Sequence, residues 1–315
     1  MRVLVLTNMY PSPENPTYGI FVREQVEDLQ GLGVHVDVLA IAGHRSRLNY
    51  ARAALDLRRK LRSRRFDLVH AHYGLSGAVA LGQIRVPLVT TFHGSDAYIW
   101  WQRIISYVVA RRATPIFVSE SCARALGFAA GTILPAGVNT AAFTPIPRSE
   151  ARSALGWDET RPYVLFPGAR NVSIKRFDLF EQVVGLTRQE IPNLEAVCLE
   201  DFERPVVPVV MNAVNATLLT SDDEGSPVTV RESLACLTPV VSVAVGDVPE
   251  VIARLPGCSV GTREPTDLAE RLLAALSSPR SQALRDRAED YSRQKIAERL
   301  LAVYEDTLKR RARIK

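Results

Sequence analysis

The chain has 315 residues, 47% of them hydrophobic, and carries 39 basic and 34 acidic side chains, which gives a formal net charge of +5. This length predicts two domains with a substantial core. The excess charge is local, because positions 45 to 65 hold nine basic residues and one acid, while the remainder sums to 30 minus 33, or −3. A nucleic-acid binder with distributed phosphate contacts is therefore disfavoured.

The first half of the chain alternates short apolar runs with segments of helical spacing. The first run, VLVL at residues 3–6, is β-branched at every second position and is typical of a buried parallel strand. Similar runs predict strands at residues 34–39, 67–72, 87–92 and 115–118. Strands that alternate with helices predict a doubly wound α/β domain, whose ligands bind beyond the carboxyl ends of the strands.

The second half repeats this plan after a turn-rich stretch between residues 143 and 162. Strands are predicted at residues 163–166, 194–199, 216–220 and 239–243, and the sequence from residue 267 onwards is helical and charged. We therefore predict an N-terminal domain over 1–145, a C-terminal domain over 146–290 and a terminal helix over 291–315 that packs back toward the first domain. A ligand is expected between two such domains.

Cysteines and apolar runs bear on the cellular compartment. The four cysteines, at positions 122, 198, 236 and 258, form no CxxC pair, so neither a disulfide framework nor a cysteine zinc site is indicated. The apolar run at the N-terminus is too short for the core of a signal peptide. The longest apolar run, at residues 206–219, falls short of the roughly 20 residues of a membrane span. These features predict a cytoplasmic protein, with peripheral attachment to the cytoplasmic membrane face left open.

The loop after the first strand lacks the GxGxxG pattern of a dinucleotide site, which disfavours a nicotinamide cofactor. The loop runs PSPENPTYGIFVREQ, with Gly19 just before a helix. A glycine here lets backbone N–H groups approach an anion, but a plain turn explains it equally well.

Three histidines stand in or just after the predicted strands of the first domain. His93 follows the fourth strand in the motif HGSDAY, where its ring can hydrogen-bond a sugar hydroxyl or have a purely structural role. His70 and His72 share one face of the third strand, but a pair without a third ligand is weak support for a metal. We therefore predict no metal site.

Charged residues also follow two predicted strands of the second domain. Arg170 and Lys175, in FPGARNVSIKRFDL, suit a diphosphate, the arginine as a fork and the lysine as a point charge. They can equally be solvated loop cations. The stretch SDDEGSPVTVRESLA, residues 221–235, then places Glu224 and Glu232 eight positions apart.

A helix is expected from about Thr229, capped by Ser226 and with Pro227 at its first position, so that its N–H groups form an anion site. Glu224 lies before the cap and Glu232 nearly two turns inside the helix. The two carboxylates are therefore expected to contact different parts of one ligand. A turn carboxylate plus a solvated helix glutamate is the alternative.

Taken together, the motifs resemble those of one known family. They are MRVLVLTNMYP, GIFVREQ, FDLVHAHYG, TFHGSDAY, LPAGVNTAAFTP, the loop of Arg170 and Lys175, and EGSPVTVRESLACLTPVVSVAVGDVPEVI. The chain resembles, over nearly its whole length, the retaining glycosyltransferases of the GT-B fold, glycosyltransferase family 4 (group 1). The Glu-x7-Glu element is the most specific of these motifs. The resemblance implies two Rossmann-like domains that face a central cleft.

The resemblance also implies roles for the motif residues of the second domain. Arg170 and Lys175 would hold the donor diphosphate, while Glu224 would contact the donor sugar and Glu232 the ribose. Five further residues would lie against the donor sugar and its phosphates: Gly168, Gly225, Ser226, Pro227 and Val228. In the first domain, His93 would bind the transferred sugar and Gly19 would let the N-terminal loop approach the phosphates.

The implied reaction is a hexosyl transfer, with retention of configuration, from a UDP- or GDP-sugar to a glycan, lipid-linked or small-molecule hydroxyl, as in polysaccharide biosynthesis. No side chain stands out as a nucleophile, which is compatible with a front-face route that needs neither metal nor cofactor. The alternatives are a non-catalytic nucleotide-sugar-binding or scaffold protein of the same fold and, less well supported, a sugar-nucleotide epimerase.

An anionic membrane surface is a further expected partner. The segment from Arg45 to Arg65 and the stretch Tyr98-Ile99-Trp100-Trp101 combine basic and aromatic residues, which favours a lipid interface. A solvated basic helix and an internal tryptophan pair are the alternative reading.

Overall fold

A computed structural model describes residues 1–15, 18–43, 45–46 and 48–314 of the chain. It divides into two compact units, one formed by Met1–Gly137 with Arg293–Lys315 and the other by Val138–Ser292. We call them unit 1 and unit 2. The division falls a few residues before the predicted boundary at 145/146, and the terminal helix belongs to unit 1.

All strands of both units pair in parallel, as the apolar runs predict. The strands are β1 Arg2–Thr7, β2 His35–Ala40, β3 Leu68–His72, β4 Leu88–Phe92, β5 Thr114–Phe117, β6 Thr132–Ile133, β7 Tyr163–Phe166, β8 Glu195–Cys198, β9 Ala216–Leu219, β10 Val240–Val243 and β11 Ser259–Gly261. Each predicted strand is present, and the predicted α/β class with two parallel sheets is confirmed. Strands β6 and β11 were not predicted, because two or three residues are too few for an apolar run.

Helices connect these strands. They are α1 Ile20–Gly31, α2 Leu48–Ser63, α3 Gly74–Leu81, α4 Ser95–Tyr98, α5 Trp100–Ala110, α6 Glu120–Ala125, α7 Arg148–Leu155, α8 Phe177–Glu190, α9 Val207–Ala213, α10 Val228–Ala235, α11 Val248–Val251, α12 Pro265–Leu276, α13 Gln282–Glu289 and α14 Arg293–Ile314. Two short 3₁₀ turns, Ser173–Lys175 and Leu199–Asp201, follow β7 and β8.

In unit 1 the six strands lie in the order β2-β1-β3-β4-β5-β6. Side chains of β1 alternate between the two faces of the sheet, since successive residues of a strand point to opposite sides. Val3 and Val5 pack in one buried cluster with α1 and α14, while Leu4 and Leu6 pack in another with α2. Both faces of the sheet are therefore covered at β1, as is usual for a parallel sheet.

Helix α14 completes the α1 side of unit 1. Its residues Ile296, Leu300 and Tyr304 are buried in the cluster that also holds residues of α1 and β1. At its start, the Arg293 guanidinium donates to both carboxylate oxygens of Asp28 on α1. Apolar burial and this ion pair together fix the end of the chain to unit 1.

In unit 2 the five strands lie in the order β11-β10-β9-β7-β8, over one continuous apolar core. The first strand of this unit, β7, is thus flanked by β8 on one side and β9 on the other. The connection from β7 leads to β8 and the connection from β9 leads to β10, in opposite directions, so β7 and β9 form the topological switch point of the sheet. Ligands of open α/β sheets bind outside the carboxyl ends of the strands at such a point.

Candidate active site

An ion pair lies at the switch point of unit 2. Lys175 follows β7 and Glu224 follows β9, and the Lys175 ammonium donates to Glu224 Oε1 over 2.6 Å. The hydroxyl of Ser221 donates to the same oxygen over 2.8 Å. Glu224 is largely buried, whereas Lys175 keeps about a third of its side chain exposed. The structure thus brings together two of the residues predicted to bind one ligand.

Hydrogen bonds to backbone carbonyls hold the loop that carries Lys175 against the end of β9. The Thr220 hydroxyl donates to the carbonyls of Lys175 (3.1 Å) and Arg176 (3.0 Å), and the Asp222 N–H donates to the Ile174 carbonyl over 2.8 Å. A Cβ on Gly168 would lie 3.1 Å from Lys175 Cγ, closer than usual carbon contacts. A glycine at 168 therefore leaves room for the Lys175 stem.

Arg170 binds elsewhere. Its guanidinium donates to Glu200 Oε1 (2.7 Å) and to both carboxylate oxygens of Asp201 (2.7 and 2.6 Å), on the turn after β8. The hydrogen bonds from Arg170 lower the pKa of the Asp201 carboxyl, and Asp201 in turn raises the pKa of Arg170. Because β8 and β9 flank β7 on opposite sides, Arg170 and Lys175 have partners on opposite sides of their own strand.

The start of α10 differs from its prediction. Pro227, not Ser226, is the N-cap residue, and no side chain caps the helix. The Ser226 hydroxyl instead donates to Asp247 Oδ2 over 2.9 Å. The prediction that Ser226 caps this helix was therefore wrong, because α10 begins at Val228 and Ser226 lies one residue before the N-cap position. Val228 is the first residue of α10, so its backbone lies at the positive end of the helix dipole.

Sequence reasoning missed a buried ion pair beneath this helix start. Arg231, between the two glutamates of the motif, is fully buried and donates to Asp247, and its guanidinium also lies 4.6 Å from the centroid of Tyr291. Gly246, before Asp247, has φ 55°, and a Cβ there would lie 2.8 Å from the Gly225 carbonyl oxygen. The loop that supplies Asp247 therefore packs directly against the loop of Glu224 and Gly225. A lone arginine inside a helix with apolar neighbours was the available signal.

Glu232 is buried inside α10. Its Oε1 accepts a hydrogen bond from Arg204, which precedes α9 and also lies 5.0 Å from the ring centroid of Phe143. Its Oε2 is buried and has no hydrogen-bond partner in the described part of the chain. Such an oxygen carries a desolvation penalty unless a ligand hydroxyl satisfies it. The solvated-glutamate alternative is thereby excluded for this residue.

In unit 1, His93 is held in a polar and aromatic pocket after β4. The N–H groups of His93 and Gly94 donate to Asp96 Oδ1 over 2.9 and 3.0 Å, and the Gly74 N–H donates to Asp96 Oδ2 over 3.1 Å. Burial raises the pKa of Asp96 to about 6 against the opposing effect of these N–H donors. The ring of Tyr73 lies 4.5 Å from that of His93, between centroids. Asp96 thus fixes the backbone that presents the His93 ring.

The three histidines form one contiguous group, in which His70 and His72 are buried and His93 is partly exposed. The His93 Nε2 atom is hydrogen-bonded to His72 Nδ1 at 3.0 Å, and the ring centroids of His72 and His70 are 4.4 Å apart. His70 is in turn bonded to the Tyr304 hydroxyl (2.6 Å) and to Thr91 Oγ1 (2.8 Å). Burial lowers the pKa of all three, that of His72 to about 3. Neutral rings at neutral pH follow, each able to donate through one nitrogen and accept through the other.

The structure gives Gly19 a packing role. It has φ 69°, and a Cβ there would lie 2.4–2.8 Å from backbone atoms of Met9 and Tyr10. Only glycine fits this conformation and this approach without displacing the loop after β1. The absence of a side chain at position 19 is therefore explained without an anion.

Among residues 1–15, 18–43, 45–46 and 48–314, no three His, Cys, Asp or Glu side chains are arranged to hold a metal ion. Within the same ranges, no helix combines the length and apolarity needed to cross a bilayer.

Comparisons with known proteins agree with the architecture of both units. The family model described as Glycosyltransferase Family 4 matches residues 1–142, and that described as Glycosyl transferases group 1 matches residues 202–313. A D-inositol 3-phosphate glycosyltransferase of Actinosynnema mirum is 30% identical over 76% of this chain and 72% of that protein. TuaC of Bacillus subtilis, whose name describes a teichuronic acid biosynthesis glycosyltransferase, is 23% identical to this chain. The match covers 86% of this chain and 88% of TuaC.

Solved structures share the fold at low sequence identity. Sucrose-phosphate synthase from Thermosynechococcus elongatus has a TM-score of 0.78 at 16% identity, covering 97% of this chain and 98% of its own. Anabaena HepE in complex with UDP has a TM-score of 0.69 at 15% identity, covering 97% of this chain and 100% of its own. At these identities the likeness concerns the fold.

Proposed function

Because the chain belongs to the family 4 (group 1) glycosyltransferases of the GT-B fold, we propose that it transfers a hexosyl group from a UDP- or GDP-sugar to a hydroxyl acceptor with retention of configuration. The similar fold of HepE, whose structure holds UDP, supports a nucleotide-sugar donor. The relative named for teichuronic acid biosynthesis supports a glycan acceptor, and the relative named for D-inositol 3-phosphate supports a small-molecule hydroxyl acceptor. Polysaccharide biosynthesis is the corresponding process.

The observation that carries this proposal is the Lys175–Glu224 pair beside the start of α10. Loss of a nucleoside diphosphate builds negative charge on the leaving phosphate and positive charge on the sugar ring. Lys175 and the N–H groups at the positive end of α10 act on the first, and the Glu224 carboxylate contacts hydroxyls of the sugar. Gly225, Ser226 and Pro227 shape the loop between them.

The buried Glu232 takes the ribose in this proposal. Its second oxygen, buried without a partner among the described residues, would accept from a ribose hydroxyl. Arg170 is assigned to the diphosphate through exchange of its carboxylate partners Glu200 and Asp201 for phosphate oxygens. In unit 1, His93 contacts the transferred sugar and Gly19 serves the approach of the N-terminal loop to the phosphates.

The proposed chemistry requires no enzyme nucleophile. The bond between the anomeric carbon and the phosphate oxygen breaks, the acceptor oxygen bonds to the same face of that carbon, and the acceptor proton passes to the departing phosphate. Lys175 supplies fixed positive charge where a metal would otherwise act. We therefore propose a metal-independent, cofactor-free reaction.

Donor binding and transfer test this proposal together. In a thermal-shift screen against UDP-, GDP- and ADP-sugars, the sugar nucleotides of one base should raise the melting temperature of the protein. A ligand bound only by the folded state stabilises that state by mass action. Lys175→Ala should then lower kcat with the preferred donor by about 10²–10³-fold, as for loss of one transition-state donor. Glu224→Gln should reduce transfer, and it keeps an oxygen that can accept from Lys175 and Ser221.

Arg161→Ala is the matched control. Arg161 forms an ion pair with Glu195 across β7 and β8, at the opposite ends of these strands from Lys175, so its loss should leave kcat unchanged. Donor binding without transfer to any acceptor would favour the non-catalytic reading. Full transfer by both Lys175→Ala and Glu224→Gln would refute the site assignment.

The acceptor side of the proposal includes a membrane. We propose that the basic segment from Arg45 to Arg65 contacts the anionic cytoplasmic face of a membrane and so brings the enzyme to lipid-linked acceptors. Arg47 of this segment lies outside the described residues.

A further inference from the structure

Helix α5 presents its large apolar residues outward. Its outward face carries exposed residues at helical spacing, which are Trp100, Trp101, Ile104, Tyr107 and Val108. Trp100 is 70% exposed and Ile104 60%. The face turned inward holds the smaller residues Ser106, Val109 and Ala110. This arrangement is the reverse of a surface helix that buries its apolar stripe.

Close packing of α3 against α5 causes this orientation. A Cβ on Gly74 would lie 1.9 Å from Ser106 Oγ, and a Cβ on Gly77 would lie 2.5 Å from a methyl carbon of Val109. The two glycines of α3 thus admit the small face of α5 at short range, and a bulky face would not fit there. The tryptophans are consequently directed away from the core.

Helix α2, on the other side of α3, is basic. Exposed arginines lie along it or just beyond its end, namely Arg52, Arg58, Arg59, Arg62, Arg64 and Arg65. Its one acid, Asp56, is paired with Arg59 at 3.2 Å. Leu48 and Leu55 are also exposed on this helix. Arg45, before the helix, is paired with Glu14.

A groove joins the two helices across α3. It has a volume of about 780 Å³ and is lined by Tyr50 of α2, by Leu75, Ala78 and Val79 of α3, and by Trp101 of α5, with Gly43. The outer surface of the three helices therefore runs from a basic ridge through an apolar groove to an aromatic ridge. We call it the α2–α3–α5 surface.

We infer that the α2–α3–α5 surface docks on an anionic phospholipid bilayer, with Trp100 and Ile104 inserted among the acyl chains and the α2 arginines on the head groups. Exposed aromatic and aliphatic residues beside arginines match an interface that is apolar below and negatively charged above. The uncompensated positive charge of α2 favours a negatively charged surface over a second copy, whose own α2 would repel it. This inference rests on the membrane part of the proposed function and adds the inserting element.

Vesicle flotation tests the surface. The chain should float with vesicles of phosphatidylcholine and phosphatidylglycerol at 3:1 and bind weakly to phosphatidylcholine alone. The variant Arg52→Gln/Arg59→Gln/Arg62→Gln removes three positive charges and should lose on the order of a hundredfold in partitioning at low salt, at about 1 kcal/mol for each arginine near the surface. At 0.5 M salt, where exposed charges are screened, the parent should keep the part of its binding that comes from apolar insertion. The variant Trp100→Ser/Ile104→Ser should lose that part.

Ile84→Ser is the matched control, since Ile84 is an exposed aliphatic residue on the loop between α3 and β4; it should float like the parent. The tryptophans report insertion directly. In a Trp157→Phe background, Trp100 and Trp101 are the remaining tryptophans of three, and lipids brominated on their acyl chains should quench them.

Flotation that is unchanged in Trp100→Ser/Ile104→Ser, or an absence of quenching, would overturn the inference. So would a dimer in analytical ultracentrifugation that this variant abolishes, because a second copy would then cover the face. Sugar-nucleotide affinity, measured on the same variants in solution, separates the two proposals. Donor binding without flotation refutes the surface together with the membrane part of the proposed function and leaves the sugar transfer standing, whereas flotation without binding of any sugar nucleotide refutes the sugar transfer alone.

Discussion

Replacing Asp247 by alanine should destabilise unit 2, because it leaves the fully buried guanidinium of Arg231 without its counter-charge. Removal of one partner of a buried ion pair costs about 3–5 kcal/mol. Two contacts of Arg231 remain in the variant, a 3.3 Å hydrogen bond to the Pro227 carbonyl and the stacking on Tyr291. They place the expected cost near the lower limit, at about 3 kcal/mol, or about 6–12 °C in melting temperature.

A second variant separates the cost of the unpaired charge from the worth of the pair. Asp247→Ala/Arg231→Met removes both charges and should recover most of the loss, since apolar replacement of a buried pair is often neutral. Ser226→Ala removes only one hydroxyl donor to Asp247 and should cost about 1–2 kcal/mol. The expected order of stability is therefore parent, Ser226→Ala or the double variant, then Asp247→Ala.

Urea unfolding followed by Trp157 fluorescence measures these costs. Trp157 belongs to unit 2 and stacks on Tyr163 at 4.5 Å, so a Trp100→Phe/Trp101→Phe background reports unit 2 without unit 1. A cost below about 1 kcal/mol for Asp247→Ala, or a double variant as unstable as Asp247→Ala, would refute the reasoning.

Three further predictions follow from contacts and pKa shifts. Arg170→Ala should weaken donor binding less than Lys175→Ala in calorimetry, because Arg170 is already bound by two carboxylates; an equal or larger loss would contradict this. The pKa values of the three histidines are lowered in the folded state, so below pH 6.5 these residues bind more protons in the unfolded state. The pKa of Asp96 is raised to about 6, so this carboxyl binds more protons in the folded state. The histidines outnumber Asp96, so the unfolded state binds more protons than the folded state, and the stability of unit 1 should fall as the pH is lowered from 6.5 toward 5 in urea titrations; a flat profile would exclude it. Tyr304→Phe removes the 2.6 Å bond to His70 and should cost about 1–3 kcal/mol in the same titrations at pH 7, whereas no change would show that water replaces the hydroxyl.

The strands were predictable because burial on both faces leaves a continuous apolar run. Residues 163–166, for example, form β7 as predicted, with all four side chains buried. The short edge strands β6 and β11 lack such a run, since their residues are only partly buried or exposed. Their existence depends on pairing with β5 and β10, which local sequence does not encode.

The terminal helix shows the same limit. Its charge and helical spacing predict the element, but its attachment to α1 depends on Arg293 and Asp28, which are 265 residues apart. The prediction that this helix packs toward the first domain named no contact, and the contacts in unit 1 give a physical reason for it. Without them, the helix alone would fit many positions.

Partner choice among the charged residues depends on strand order. Lys175 lies near Glu224 because β9 adjoins β7, and Arg170 lies near Glu200 because β8 adjoins β7 on the other side. A sequence that predicts every strand still leaves the order of strands open, and each order would pair these charges differently. Because the order is β9-β7-β8, the two neighbouring loop cations have separate partners. Lys175 pairs with Glu224 at the switch point, and Arg170 pairs with Glu200 beside it. It follows that donor binding should depend mainly on Lys175, the cation that faces the start of α10 through Glu224.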